Sequence, residues 1–252
     1  MFMSNPFAEL SAHIPVAVMQ GYIVLMVVLV IVGTILDMMH KKSAKYFFLN
    51  AEKAKKDAKR QVGAGEKVAI AAKVLVVEVA TSGEFKNIKR RLSHLLTMWG
   101  FIIFVAMTAI LIFAYPTPAD QAPAILPKLW HIGAAMLALG GYWFWFFIRV
   151  DVSAEGSPWY RVERADLFIL SLLATSTFAL IWSYTQHNGI AGWSTLFLIL
   201  FAGSGLVLFG GVYWSKFAHM FFKPAAAFQK RVTRADGSRE GLPPDYDLTD
   251  PA

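Results

Sequence analysis

The chain has 252 residues, of which 56% are hydrophobic and 16% are charged, and it carries a formal net charge of +7. This balance exceeds the apolar content of a soluble globular domain and indicates an integral membrane protein. Because the sequence has no cysteine, it excludes disulfides, cysteine-ligated iron–sulfur clusters and thiolate zinc sites. Any redox centre must therefore be held by histidine, methionine or carboxylate ligands.

Five stretches are long and apolar enough to cross a bilayer, which takes ~20 such residues. They are residues 16–36, 95–115, 129–149, 166–184 and 193–214. The sequence therefore predicts an all-α fold, an integral membrane five-helix bundle. The first stretch follows fifteen residues without Lys or Arg, whereas a secretory signal peptide has a cationic start. We therefore interpret it as a permanent helix.

The distribution of basic residues predicts the orientation of the bundle. Segments 37–94, 149–165 and 215–252 hold every Lys and Arg except Lys128, and such residues are retained on the cytoplasmic side. We therefore expect the N-terminal segment 1–15 to face outward and the C-terminal segment to be cytoplasmic. This asymmetry accounts for the net charge without a nucleic-acid partner, and the sequence has no base-reading motif.

The cytoplasmic segment 37–94 is long for a connection in a compact bundle. Its stretch "AEKAKKDAKRQ" at 51–61 predicts a helix with a dense basic face that extends the first span. This face suits either anionic lipid or the docking of a soluble partner. The apolar stretch 67–80 is too short to span and predicts an interfacial or partner-facing helix. Residues 230–252 are polar with Gly and Pro, which is typical of a flexible tail that can also dock.

Several tryptophans lie near the ends of the predicted spans, where amphipathic rings sit at headgroup depth. We therefore interpret them as interfacial anchors. An aromatic path for electrons is the less favoured alternative. The residues are Trp130, Trp143, Trp145, Trp182, Trp193 and Trp214.

Two histidines fall at the same predicted depth, at the cytoplasmic ends of the second and fifth spans. They are His94 and His219. Haem b takes two axial imidazoles from facing helices of a bundle, and basic side chains nearby pair its propionates. The alternative is that each is an ordinary interfacial histidine. Candidates for the propionate side are Arg90, Arg91, Lys216 and Lys223.

Several motifs resemble the haem b membrane subunits of the nitrate reductase gamma superfamily. They are "RRLSH" opening the second span, a Trp/His pair opening the third, "ERADLFILSLLATSTFALI" and "YWSKFAHMFFKPAAAFQKRV". The stretch "VATSGEFKNIKRRLSHLLTMWGF", residues 79–101, more closely resembles the adenylylsulfate-reductase-associated membrane proteins of sulfur-oxidising bacteria. The resemblance covers roughly residues 79–231.

The resemblance implies how many haems are bound. In the superfamily the second span usually carries two histidines ten positions apart and the last span two histidines eighteen apart, which together bind two haems. Here His94 and His219 match the cytoplasmic pair, but Phe104 and Phe201 stand where the ligands of the outer haem would be. We therefore expect one haem b near the cytoplasmic face and aromatic packing in place of the outer haem. A second haem held by His131 and His187 is a less favoured alternative, because "SYTQHNGIAGW" around His187 is turn-like.

A single haem at one face favours a quinone site close to it. Charged residues at the cytoplasmic boundary, among them Asp37 and Asp166, are candidates to exchange quinone protons. The alternative is that they are interfacial charges that pair with one another or reach water. We expect Asp166 to be the more informative residue, because it directly enters a span.

The resemblance implies a multi-pass subunit of the bacterial inner (cytoplasmic) membrane. It would anchor cytoplasmic adenylylsulfate reductase and exchange electrons with the quinone pool through one haem b. The alternative is a haem-free anchor that recruits the same enzyme. The chain has no nucleotide-binding loop, flavin fingerprint or nucleophile constellation, so we expect a non-catalytic subunit. A transporter is disfavoured because inverted repeats are not evident.

Overall fold

The computed structural model describes residues 2–41, 43–56, 58–83, 85, 87–152, 156–214 and 219–238, with the side chains of residues 41, 43–46, 50 and 219–221 outside the description. Every regular element in these ranges is helical, which confirms the predicted all-α fold. The chain divides into two compact units. We name Met1–Leu36 with Phe85–Ala218 the bundle unit, and Asp37–Glu84 with His219–Ala252 the basic unit.

The described α-helices follow one another along the chain. They are α1 Pro6–Leu10, α2 Val16–Lys41, α3 Ser43–Lys56, α4 Ala64–Lys73, α5 Ile88–Ala114, α6 Ile125–Trp143, α7 Leu167–His187, α8 Ala191–Gly210 and α9 His219–Asp236. Two of them continue as π-helical turns, α4 through Val74–Ala80 and α6 through Phe144–Ile148.

Five helical stretches of the described chain are long and apolar enough to cross a membrane. They are Val16–His40, Ile88–Ala114, Ile125–Ile148, Arg164–His187 and Ala191–Tyr213. This confirms the predicted multi-pass membrane protein, whose orientation stays a prediction. The second stretch begins at Ile88 rather than at residue 95, because Asn87 caps α5 there: its Oδ1 accepts from the backbone N–H groups of Lys89 and Arg90.

Glycines bring α5 and α6 into backbone contact. A Cβ added at Gly100 would lie 2.7 Å from the Leu137 nitrogen, and one added at Gly133 would lie 2.7 Å from the Phe104 nitrogen. A third glycine, Gly140, accepts a hydrogen bond through its carbonyl from Ser93 Oγ, 2.8 Å away. Small residues and interhelical hydrogen bonds of this kind hold helices together in membranes.

In the basic unit, α9 packs against α3, α4 and the π-helical turn Val74–Ala80. Arg231 joins α9 to this turn through an ion pair with Glu78, at 2.6 Å. The last turn of α9 is held by Arg60, whose Nε donates to the Ala235 carbonyl while its Nη atoms donate to Glu66. The hydrogen bonds from Arg60 also lower the pKa of the Glu66 carboxyl.

α9 differs from the prediction made for the C-terminal segment. The composition of residues 230–252 is typical of a flexible tail, but the helix continues to Asp236. The contacts of Arg231 and Arg60 provide the physical reason, because they tie this part of α9 to the rest of the unit. The remainder of the expected tail, residues 239–252, lies outside the described residues.

A substitution at the α5–α6 contact tests its importance. We expect Gly133→Ala to lower the free energy of unfolding by about 1–3 kcal/mol, because the added methyl meets backbone atoms that cannot move aside. The measurement is thermal unfolding of the purified protein in detergent. Gly203→Ala in α8 is the matched control, since nothing lies within 4 Å of an added Cβ there. Equal destabilisation by the two changes would contradict the proposed contact.

Candidate functional site

The predicted haem ligand His94 lies in the second turn of α5. It is half-buried, and its ring contacts Phe85 with centroids 5.0 Å apart. The guanidinium of Arg90 lies over the same phenyl ring, 5.4 Å from its centroid, and Arg91 follows in the same turn. The structure therefore brings His94 and the arginines of "RRLSH" to one end of the bundle unit. This end of α5 therefore carries an imidazole with two arginines in the preceding residues, and Phe85 lies between the His94 ring and the Arg90 guanidinium.

The second predicted ligand, His219, is the first residue of α9 and belongs to the basic unit. Its side chain lies outside the description, as does Lys216 altogether. The pairing of His94 with His219 therefore stays a prediction. Lys223, the remaining propionate candidate, is described and lines a groove of the basic unit.

The two phenylalanines at the expected outer haem positions face one another. The ring centroids of Phe104 on α5 and Phe201 on α8 are 6.1 Å apart. Trp130 packs on Phe104 at 5.2 Å, Trp182 stacks on Phe201 at 5.7 Å, and Phe7 of α1 closes the group against both tryptophans. We name these five residues the aromatic cluster. They fill the bundle interior with rings that cannot coordinate iron.

Hydrogen bonds fix the cluster in place. Trp130 Nε1 donates to Thr108 Oγ1 at 2.9 Å. His131, which is 1% exposed, has Nδ1 2.7 Å from the Pro127 carbonyl and Nε2 2.8 Å from Ser183 Oγ. The carbonyl can only accept, so Nδ1 donates this hydrogen bond, and Ser183 Oγ is the partner of Nε2.

The hydrogen bonds of His131 disfavour the alternative second haem. Both ring nitrogens of His131 already have partners, so coordination of iron by His131 would break a buried hydrogen bond. His187 is exposed at the end of α7. The structure gives the His131–His187 alternative no support.

The aromatic cluster also corrects the interpretation of the tryptophans. Trp193 and Trp214 are more than half exposed, as an interfacial anchor should be, but Trp130 and Trp182 are 0% exposed and Trp145 is 5% exposed. The prediction of an interfacial role was wrong for these three. Trp145 lies under the Arg149 guanidinium. Trp130 and Trp182 are covered by α1, which folds over this end of the bundle: Asn5 Nδ2 donates to the Tyr115 carbonyl and Gln186 Nε2 donates to that of Pro6.

Asp166, the first proton-exchange candidate, is held by Arg149. The Nε and Nη2 atoms of the guanidinium donate to its two carboxylate oxygens at 3.2 and 2.5 Å. The same guanidinium donates to three backbone carbonyls and lies over the Trp145 ring at 4.5 Å. The carbonyls belong to Ser157, Pro158 and Arg161. Arg149 is 2% exposed, so this arrangement fastens the connection between α6 and α7.

Asp37, the second candidate, is the more deeply buried of the two. It lies near the C-terminal end of α2 and is 2% exposed. A buried carboxylate in a membrane-crossing helix is costly and is therefore a functional candidate by default. Among the described residues, no group of three or more His, Asp or Glu side chains is arranged to hold a metal ion.

The role of Arg149 can be tested directly. We expect Arg149→Gln to lower the free energy of unfolding by about 3 kcal/mol or more, because it leaves a largely buried carboxylate and several carbonyls without their donor. Thermal unfolding and limited proteolysis of the 149–166 connection measure this.

The control is Arg161→Gln in the same connection, whose side chain is 71% exposed and whose ion pair with Glu163 is 3.5 Å long. We expect a change of less than about 1 kcal/mol there. If both variants unfolded alike, Arg149 would not be the residue that fastens the connection.

Comparison with known proteins identifies no family for this chain. No family model, no curated protein and no solved structure matches the chain. The geometry described above therefore stands alone as the structural basis for a functional proposal.

Proposed function

We propose that the protein is a membrane subunit that anchors a cytoplasmic redox enzyme and carries electrons between it and the quinone pool through one haem b. The proposed partner is adenylylsulfate reductase, and the proposed location is the bacterial inner membrane with the basic unit on the cytoplasmic side. The membrane part is supported by five helices of the described chain, which are long and apolar enough to cross a bilayer.

The main support for the haem proposal is that the surroundings of α5 differ between His94 and Phe104. His94 and Phe104 are ten residues apart, about 15 Å along a helix. Around Phe104 the interior is filled by the aromatic cluster. Around His94 the helix carries instead Arg90 and Arg91, and the ring of Phe85, which precedes the helix, contacts the imidazole. This contrast supports a single redox site at the His94 end.

His94 and His219 are the proposed axial ligands, with Arg90, Arg91, Lys216 and Lys223 on the propionate side. When bound, haem b supplies one-electron transfer at a potential set by its ligands and their surroundings. The chain's own residues bind and orient it: α5 presents His94 from a fixed helix end, and the cap at Asn87 fixes where that end begins. The aromatic cluster excludes water from the interior beyond it.

The proton-exchange role is assigned to Asp37 rather than to Asp166. The bonds between Asp166 and Arg149 support the alternative in which Asp166 is a paired boundary charge. The Asp166 carboxylate also accepts from the backbone N–H of Glu163, so its oxygens are engaged in fastening the connection. Asp37 is buried in a membrane-crossing helix and remains the candidate for exchange with quinone.

The ligand assignment is tested with the dithionite-reduced minus oxidised visible spectrum of the purified protein. We expect a b-type signal that is lost in His94→Ala and in His219→Ala. His187→Ala is the matched control, because this exposed histidine lies at the end of α7 near α1, and it should leave the signal unchanged. A folded protein without signal, given haem during expression, would favour the haem-free anchor instead.

Docking of the soluble enzyme is assigned to the basic face of α3. Ala54 is fully buried whereas Lys53 and Lys56 are exposed, so the helix turns its lysines away from the rest of the unit. We expect Lys53→Gln with Lys56→Gln to weaken co-purification of adenylylsulfate reductase by on the order of tenfold.

The matched control for docking is Lys128→Glu, which changes the net charge by the same amount on the side predicted to face outward. It should leave co-purification unchanged. If the α3 variant bound the enzyme as well as the unmodified protein did, the docking surface would lie elsewhere.

A further inference from the structure

A row of exposed aromatic rings runs from α6 onto the connection between α6 and α7. Its members are Tyr142, Phe146, Trp159 and Tyr160, each between 41% and 72% exposed. Tyr142 stacks on Phe146 with ring centroids 6.2 Å apart. Trp159 packs on Phe146 at 6.4 Å, and Tyr160 meets Trp159 edge-on at 5.8 Å. We name these four residues, all in the bundle unit, the aromatic row.

The aromatic row continues the exposed apolar face of α6. Ile125, Ile132, Leu139 and Phe146 recur every seven residues, which places them on one face of the helix, and all four are exposed. They belong to one candidate membrane-crossing stretch, so this face is the one that lipid covers. The Trp159 ring lies against Phe146, the last member of the face. The exposed rings of the connection are therefore continuous with the lipid-facing surface of α6.

The hydrogen bonding of the row suits a medium without water. The Tyr142 hydroxyl pairs with Thr177 Oγ1 of α7 at 3.0 Å, although the tyrosine is exposed. In contact with water such a bond would contribute little, because water could replace either partner. In contact with acyl chains it offsets the cost of removing the hydroxyl from water. The polar end of Tyr142 is thus already satisfied for a position in lipid.

Arg149 holds the backbone that carries the two rings of the connection. Its buried guanidinium donates to the carbonyls of Pro158 and Arg161, which flank these rings on either side. The Ser157 N–H donates in return to the Arg149 carbonyl at 2.9 Å. Because this backbone is fixed in advance, the rings are presented at the surface with little further loss of conformational entropy on binding.

We propose that the aromatic row seats the α6–α7 connection in the headgroup region of the bilayer. Trp and Tyr rings prefer this depth, because the body of the ring is apolar while its N–H or O–H group stays in contact with water. Val162, 62% exposed, adds apolar surface, and the exposed side chains of Arg161 and Glu163 form a charged rim beside it. The inference depends neither on haem nor on the soluble partner. It removes this connection from the surfaces that such a partner could contact.

The absence of cysteine from the chain makes spin labelling a direct test. Val162→Cys places one label beside the row, in the full chain in liposomes of equal parts phosphatidylglycerol and phosphatidylcholine. Collisions of the label with oxygen, which concentrates in lipid, are compared with those with a nickel chelate, which stays in water. We expect the label to lie about 5–10 Å into the boundary between headgroups and acyl chains. Ala119→Cys, in the exposed turn before α6, is the control and should report water, because residues 116–124 contain no aromatic ring.

A second variant tests whether the rings cause this depth. Trp159→Ser with Tyr160→Ser, combined with Val162→Cys, should move the label toward water by about 5 Å or more. The thermal unfolding midpoint should stay within a few degrees, because both rings are exposed and Arg149 binds backbone carbonyls in this connection.

The matched control for the ring variant removes one tryptophan and one tyrosine elsewhere. Trp193→Ser with Tyr184→Ser changes two rings that are also more than half exposed, at the other end of α7. We expect the label introduced by Val162→Cys to keep its depth in this variant.

Four outcomes would overturn the proposal. In the first, the label at Val162→Cys is as accessible to the chelate as the label at Ala119→Cys. In the second, loss of the Trp159 and Tyr160 rings leaves its depth unchanged. In the third, dipolar broadening between labels, with protection from both reagents, makes the row an interface between two copies of the chain. In the fourth, protection from the chelate arises only when adenylylsulfate reductase is added, which makes the row a protein-docking surface.

Discussion

The close approach of α5 and α6 at Gly100 and Gly133 is the constraint on which the rest of the bundle unit depends. In lipid, helices gain no hydrophobic drive from associating with one another, so van der Waals contact and interhelical hydrogen bonds must hold them. The two glycines bring the backbones into contact. This contact fixes the register in which Ser93 reaches the Gly140 carbonyl and Trp130 reaches Thr108. A slip of one residue would break both hydrogen bonds together.

The same register positions the aromatic cluster. Phe104 of α5 lies beside Gly133 of α6. Its ring therefore meets Trp130 on α6 and Phe201 on α8. The short helix α1 then covers the tryptophans with Phe7. One end of the bundle interior is thereby occupied by protein side chains. The opposite end carries His94 with its arginines and the Arg149–Asp166 pair, and our proposal for electron transfer is confined to that end.

Much of the fold was predictable because its cause is local. Apolar length alone marks the five spans, and Asn87 marks the true start of α5. The buried positions of Trp130 and Trp182 were not predictable, because they result from α1, which comes from a distant part of the sequence. The helical state of residues 230–236 depends likewise on Glu78 and Arg60, at least 150 residues away.

For the candidate site, the sequence predicted that Phe104 and Phe201 stand at the outer haem positions, and the structure adds that their rings contact each other.

The most direct test of the account is the ratio of haem b to protein chain in the purified full-length protein, measured by haem extraction and quantitative amino-acid analysis. We predict one haem per chain, because the aromatic cluster occupies the interior around Phe104 and Phe201. Two haems per chain would contradict the conclusion that aromatic side chains occupy the outer haem position. A protein that folds with haem supplied and carries none would contradict electron transfer through this subunit.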